Sequence, residues 1–159
     1  MGTKGKEIVE LNVQELITDL NRAYADEWLA FYSYTYMAQV VAGQPIAKRV
    51  AEMLREIAAE ELEHQDELAG RITQLGGKPL ADPSKLVETS NAGYPAPPAD
   101  ATDIKAITKT VIEAERGAIE VYNNLAKKTS GKDPLTYELV LHILGEEVQH
   151  EDDFENLLS

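Results

Sequence analysis

Six residues of this chain have the chemistry and the spacing to hold two divalent cations: Glu27, Glu61 with His64, Glu115, and Glu147 with His150. Each glutamate interrupts an otherwise apolar stripe that repeats every 3.6 residues, so each is expected on the buried side of a helix. A carboxylate does not settle on a buried face without a partner. Residues three apart on a helix lie one turn along and close in azimuth, so each Glu-x-x-His pair can grip one side of a metal pair. A single Glu-x-x-His in a Glu-rich helix is weak grounds for a metal site, because solvated charge explains most such pairs. Here the pattern occurs twice, takes two of the three histidines, and is joined by two further stripes that each carry a lone glutamate.

The competing reading is a set of buried salt bridges without metal, which would need Lys or Arg on the same stripes at the same level. None is there. Two divalent ions would balance four carboxylates. Without them, like-charge crowding should raise some of the carboxylate pKa values. Hard oxygen donors with one imidazole per ion suit iron or manganese; zinc would bind but leave redox chemistry unused.

Tyr34 follows Glu27 by seven residues, and Tyr122 follows Glu115 by seven. Both are read either as core aromatics with a hydroxyl seeking a partner or as hydrogen-bond donors to a ligand carboxylate. Tyr24 belongs to the core. Trp28 falls off the stripe, as at a subunit contact, and His142 falls off the His150 stripe, on a surface or pore. Other motifs fail. Gly76-Gly77-Lys78 lacks the spacing and the hydroxyl of a phosphate loop, and no Ser-His-Asp grouping has a spare buried histidine.

Four long helices must position these groups, predicted over about 13–42, 45–76, 102–129 and 134–158. Asn12 with Glu15 reads as a capping box for the first. Gly43 and Pro45 separate the first from the second, Gly76-Gly77 ends the second, and Asp133-Pro134 opens the fourth. The short link between the first two helices makes them antiparallel neighbours. Residues 77–101, rich in proline and alanine, form a long connection with one helical turn near Pro83 to Val87. A connection of that length needs a reason, and a crossover running the length of a bundle supplies it. The chain also repeats weakly: Glu27 to Glu61 is 34 residues and Glu115 to Glu147 is 32, each half ending in Glu-Glu-x-x-His. The repeat selects Glu115 over Glu113 and Glu120. No strand pattern is present.

The 159 residues fit one domain, 1–159, and 43% hydrophobic content supplies a core. A net charge of −13 argues against nucleic acid as the main partner and suits a protein that attracts cations. Cysteine is absent, which excludes disulfides and thiolate metal sites. No apolar run reaches the roughly 20 residues of a membrane span, and the first residues lack a signal peptide's apolar core. No membrane association and a cytoplasmic location are therefore expected.

From about residue 12 to 158 the chain resembles the ferritin-like di-iron carboxylate superfamily, which places one Glu on each of two helices and Glu-x-x-His on each of the others. It looks most like bacterioferritins and the Dps-like proteins that share their site. The stretch Glu27-Trp28-Leu29-Ala30-Phe31-Tyr32-Ser33-Tyr34 resembles the family's first ligand helix. Glu60 to His64, with Arg71-Ile72 and Leu75-Gly76-Gly77-Lys78-Pro79, resembles its second. The resemblance implies an all-α, antiparallel four-helix bundle with a long crossover between helices 2 and 3. It also implies two Fe ions per subunit, or Mn, with Glu27 and His64 on one, Glu115 and His150 on the other, and Glu61 and Glu147 bridging. The expected activity is ferroxidase: Fe(II) is oxidised by dioxygen or hydrogen peroxide and stored as Fe(III) mineral in a homo-oligomeric cage. Two departures refine this. Leu62 stands where haem-binding relatives place a Met, so haem is not expected. The chain stops at Ser159, short of a fifth helix, which favours a 12-mer over a 24-mer. Some Dps-like relatives also carry a cysteine pair near the site, and this chain has none. Competing readings are a dimanganese catalase-like or rubrerythrin-like peroxide-scavenging enzyme and a non-catalytic helical scaffold with structural metal.

Overall fold

The computed structural model describes residues 3–158. After a one-turn helix α1 (Lys4–Glu7), which the apolar periodicity did not anticipate, come α2 (Val13–Val40), α3 (Ala47–Gln74), the short α4 (Leu86–Thr89), α5 (Ile104–Thr129) and α6 (Pro134–Asn156). No strand occurs among the described residues. The four long helices form a four-helix bundle with a long crossover between α3 and α5. α2 packs along α3 and α5 along α6, and the two hairpins meet where α2 faces α5 and α3 faces α6.

The helix ends follow local chemistry. Asn12 Oδ1 accepts from the backbone N–H groups of Gln14 and Glu15, relieving two orphan donors of α2. The reciprocal half of the expected capping box differs: Glu15 takes the Asn12 side-chain amide at 3.5 Å rather than a backbone N–H. α3 ends where Gly76 adopts φ +88 and Gly77 N–H reaches back to Ile72 O at 2.9 Å. α6 opens with Asp133 capping Thr136 N–H and Pro134 in the first turn, where no backbone donor is lost.

The connection from α3 to α5 runs back along α2, and α2 holds it at successive points. Asn21 bonds the backbone of Lys78 and Leu80, Asp26 takes the backbone N–H groups of Asn91 and Ala92, and Ser33 Oγ donates to Pro95 O at 2.5 Å. Near the end of α2, Gln44 donates to Thr102 O, and Gly43, at φ +84, passes so close that a Cβ there would meet Thr102 Cγ2 at 2.8 Å. The predicted helical turn is present as a 3₁₀ turn over Pro83–Lys85 that continues into α4.

The core divides into two apolar halves. One gathers Met37, Leu54, Ile57, Val111 and Phe154 with Tyr34. The other gathers Leu16, Leu20, Leu68, Ile72 and Ile143 with Tyr122. In this second half Trp28 stands edge-on to Tyr24 and Phe31, with ring centroids 6.3 and 5.9 Å away. Between the halves lies a belt of charge.

A buried ion pair absent from the sequence reading closes one end of the bundle. Arg71 on α3 bonds both carboxylate oxygens of Asp133 at 2.9 Å and Thr136 Oγ1 at 2.8 Å. Burial opposes ionisation of Asp133, but bonds from Thr136 and Arg71 outweigh it and hold its carboxyl below the usual range. Replacing Arg71 with Ala should leave a buried carboxylate without its partner and lower stability by about 3–5 kcal/mol, read as the shift in denaturation midpoint.

Candidate metal centre

The six residues singled out from sequence converge at mid-bundle. Glu27 comes from α2, Glu61 and His64 from α3, Glu115 from α5, and Glu147 and His150 from α6; none is more than 3% exposed. They fall into two overlapping donor sets. Glu27, Glu61, His64 and Glu147 offer one ligand atom each within 4.8 Å of one another, as do Glu61, Glu115, Glu147 and His150. Glu61 and Glu147 are common to both. Glu61 turns Oε2 to His64 Nδ1 at 3.2 Å and Oε1 to His150 Nδ1 at 3.8 Å. Glu147 does likewise, with Oε1 3.2 Å from His64 Nδ1 and Oε2 3.8 Å from His150 Nδ1. Glu27 Oε2 lies 3.6 Å from His64 Nδ1, and Glu115 Oε2 lies 3.3 Å from His150 Nδ1. The alternatives Glu113 and Glu120 on α5 are exposed.

The tyrosines donate to the ligand glutamates, but across the bundle. Tyr34 on α2 gives its hydroxyl to Glu115 Oε1 on α5, and Tyr122 on α5 gives its hydroxyl to Glu27 Oε1 on α2. Seven residues advance a helix by about 10 Å, and side chains lean toward the helix N-terminus. On antiparallel neighbours, that lean brings each tyrosine to the other helix's glutamate. One oxygen of each terminal glutamate is thereby occupied, leaving Oε2 facing the site.

Sequence reasoning missed two residues that share the same crossed logic. Glu146 Oε2 sits 2.7 Å from His64 Nε2, and Glu60 Oε2 sits 2.5 Å from His150 Nε2. An ionised carboxylate only accepts, so each Nε2 donates and each Nδ1 is left toward the site centre. The signal was present in the doubled Glu of each Glu-Glu-x-x-His. What was missing was knowledge that the first glutamate of one helix serves the histidine of the other. His142 is exposed on α6, 3.7 Å from both Glu67 and Glu146, and is not part of the buried cluster.

The charge arrangement demands a counter-charge. Among the described residues no Lys or Arg is ion-paired with Glu27, Glu61, Glu115 or Glu147, and the only cationic group near the buried Glu147 Oε1 is the His64 imidazole, with Nδ1 at 3.2 Å. Burial, then repulsion from Glu147 and Glu27, drives the Glu61 carboxyl well above its ordinary value. Burial and Glu147 do the same to Glu115. Glu147 moves the other way, to about 2: burial would raise it, but bonds from His150 and His64 prevail. Burial would lower both imidazoles, yet the surrounding carboxylates raise them, His150 to about 11. Tyr34 and Tyr122 are pushed up by burial and by the adjacent glutamates, and so remain neutral donors. Protons thus fill in for cations, and oxygen-rich donors with one imidazole per half match the demands of hard divalent ions.

The chain belongs to the ferritin-like domain family, whose sequence model matches residues 17–159. Within that family it stands close to Dps and bacterioferritin proteins. It is 34% identical to the DNA protection during starvation protein of Pyrococcus furiosus over 149 residues, which cover 94% of this chain and 80% of that protein. It is 29% identical to the bacterioferritin of Desulfovibrio desulfuricans over 147 residues, covering 91% and 75%. Its fold matches the dodecameric thioferritin of Bacteroides fragilis, a bacterioferritin-related protein, with a TM-score of 0.93 and 36% identity over 99% of this chain and 93% of that one.

Two measurements follow. Truncating Glu60 and Glu146 together to Ala frees both imidazoles to rotate and should weaken Co(II) binding by roughly 10–100-fold in a calorimetric titration. The second concerns pH. A group whose folded pKa exceeds its unfolded value contributes stability in full below the unfolded value and loses it as pH climbs through the folded one. For His150 that window runs from its ordinary 6.5 to about 11, and His64 shifts in the same direction. The melting temperature of chelator-treated protein should therefore fall steadily above pH 6.5. The rise produced by added Co(II) should grow over the same interval, since metal replaces those protons.

Proposed function

We propose that this protein is a ferroxidase that binds two Fe(II) ions as substrate, oxidises them with dioxygen or hydrogen peroxide, and stores the Fe(III) product as mineral inside a homo-oligomeric cage. The observation that carries the reading is the sharing of Glu61 and Glu147, each with one oxygen toward His64 and the other toward His150. Carboxylates so placed could each offer an oxygen to both ions and would keep the two within reach of one oxidant molecule. Glu27 and His64 complete one position, Glu115 and His150 the other. Four carboxylates against two divalent ions make a nearly neutral loaded site, so burial ceases to penalise it. With hydrogen peroxide, each ion gives one electron, two protons are taken up, and two waters leave. Similarity to a protein described as a dodecameric thioferritin favours a shell of twelve subunits. Leu62 stands where haem-binding relatives place a Met, which speaks against haem. Among the described residues no helix is long and apolar enough to cross a membrane.

The test is kinetic. Glu61→Ala combined with Glu147→Ala should reduce Fe(II) oxidation to the uncatalysed rate while circular dichroism keeps its helical signal; retention of fast oxidation would defeat the assignment. Native mass of the same preparation should fall near 210 kDa, twelve times the 17.5 kDa chain. A dimer or tetramer would point instead to the dimanganese or rubrerythrin-like peroxide enzyme.

A further inference from the structure

A cavity of about 320 Å3 lies between α2, α5 and the crossover and ends on the metal-ligand glutamates, Glu147 among them. Glu27, Glu61 and Glu115 join Glu147 in its lining, so its inner end is polar. Beside Tyr34, Tyr94 and Val121, the walls include a run of small residues: Ala30 on α2, Ala114, Gly117 and Ala118 on α5, and Ala92 on the crossover. Their size is what keeps the space open. A Cβ added at Gly117 would already touch Ala92 Cβ at 3.8 Å. The crossover wall is fixed from α2, where Asp26 accepts from Asn91 and Ala92 N–H at 2.9 and 3.1 Å and from the Asn91 amide at 2.6 Å.

This space exceeds what either small oxidant needs. Hydrogen peroxide occupies about two water volumes, roughly 60 Å3. The cavity instead reaches the lower end of the range of about 300–1,000 Å3 that holds organic ligands. Its polarity is graded, with carboxylates at the floor and alanine methyls along the sides. Asp26 and Glu113 also line it, so anionic ligands are repelled.

We propose that the cavity admits a compact, uncharged organic hydroperoxide as oxidant, with its alkyl group against Ala30, Ala114 and Ala118 and its peroxy end at the carboxylate cluster. This rests on the ferroxidase reading. The O–O bond breaks, the hydroperoxide takes one electron from each of two Fe(II) ions and two protons, and an alcohol, a water and two Fe(III) ions result.

Cumene hydroperoxide and hydrogen peroxide should be compared by stopped-flow oxidation of Fe(II) in the assembled protein. The two rates should agree within about tenfold. Ala118→Leu, and separately Gly117→Leu should the first variant fail to assemble, should lower the cumene-to-hydrogen-peroxide rate ratio by at least about tenfold, as occlusion of a fitted pocket does. The product alcohol, 2-phenyl-2-propanol, should give saturation-transfer NMR contacts with iron-free wild type that the filled variants lose. Fast oxidation by hydrogen peroxide with cumene hydroperoxide inert, or an unchanged ratio in a folded filled variant, overturns the inference and leaves the ferroxidase reading intact. Failure of both oxidants overturns the two together.

Discussion

Four carboxylates at one level of a helical bundle repel one another, and the rest of the molecule is arranged around that repulsion. Charges of like sign within 4.8 Å cost about 3–4 kcal/mol per pair at an effective dielectric near 20. Several such pairs rival the whole net stability of a domain, about 5–15 kcal/mol. The structure meets this with protons held high on Glu61, Glu115 and both imidazoles, and with the tyrosine hydroxyls that occupy one oxygen of Glu27 and of Glu115. Divalent cations would meet it more completely, because they would bring counter-charge to the oxygens that face inward.

The same groups also form the seam of the fold. Within each hairpin, apolar packing joins α2 to α3 and α5 to α6. At mid-level, the contacts between hairpins are polar and crossed: Tyr34 with Glu115, Tyr122 with Glu27, Glu146 with His64, Glu60 with His150. Every one of these pairs spans the two halves of the internal repeat. Each half therefore completes the other's donor geometry, and neither hairpin alone presents a finished site. The apolar clusters above and below the belt hold the spacing that these short polar bonds require.

The crossover serves the centre as well as the topology. Asn21, Asp26 and Ser33 fasten it along α2, so its small residues stand as one wall of the space leading to the glutamates. A proline-rich connection suits that role. Each proline removes a backbone donor, and outside the Pro83–Lys85 turn and α4 the connection follows an irregular path.

The period of the apolar stripes, the glutamates that break them and the internal repeat were enough to place four helices, choose Glu115 over its neighbours, and group all six inward-facing side chains. This worked because burying a carboxylate is costly, so its presence on an apolar face already implies a partner. Helix ends at Asn12, Gly76 and Asp133 were readable for a related reason, since capping is chemistry within a few residues. Pairings between helices were not readable. The tyrosines were given no particular glutamate as partner, Glu60 and Glu146 were passed over, and the Arg71–Asp133 pair was unseen, because each depends on which helix stands beside which and in what direction it runs. Sequence alone determined which groups must leave water and what charge they bring. Tertiary structure decided which oxygen faces which nitrogen, because the antiparallel register of two hairpins sets those distances and no local spacing contains them.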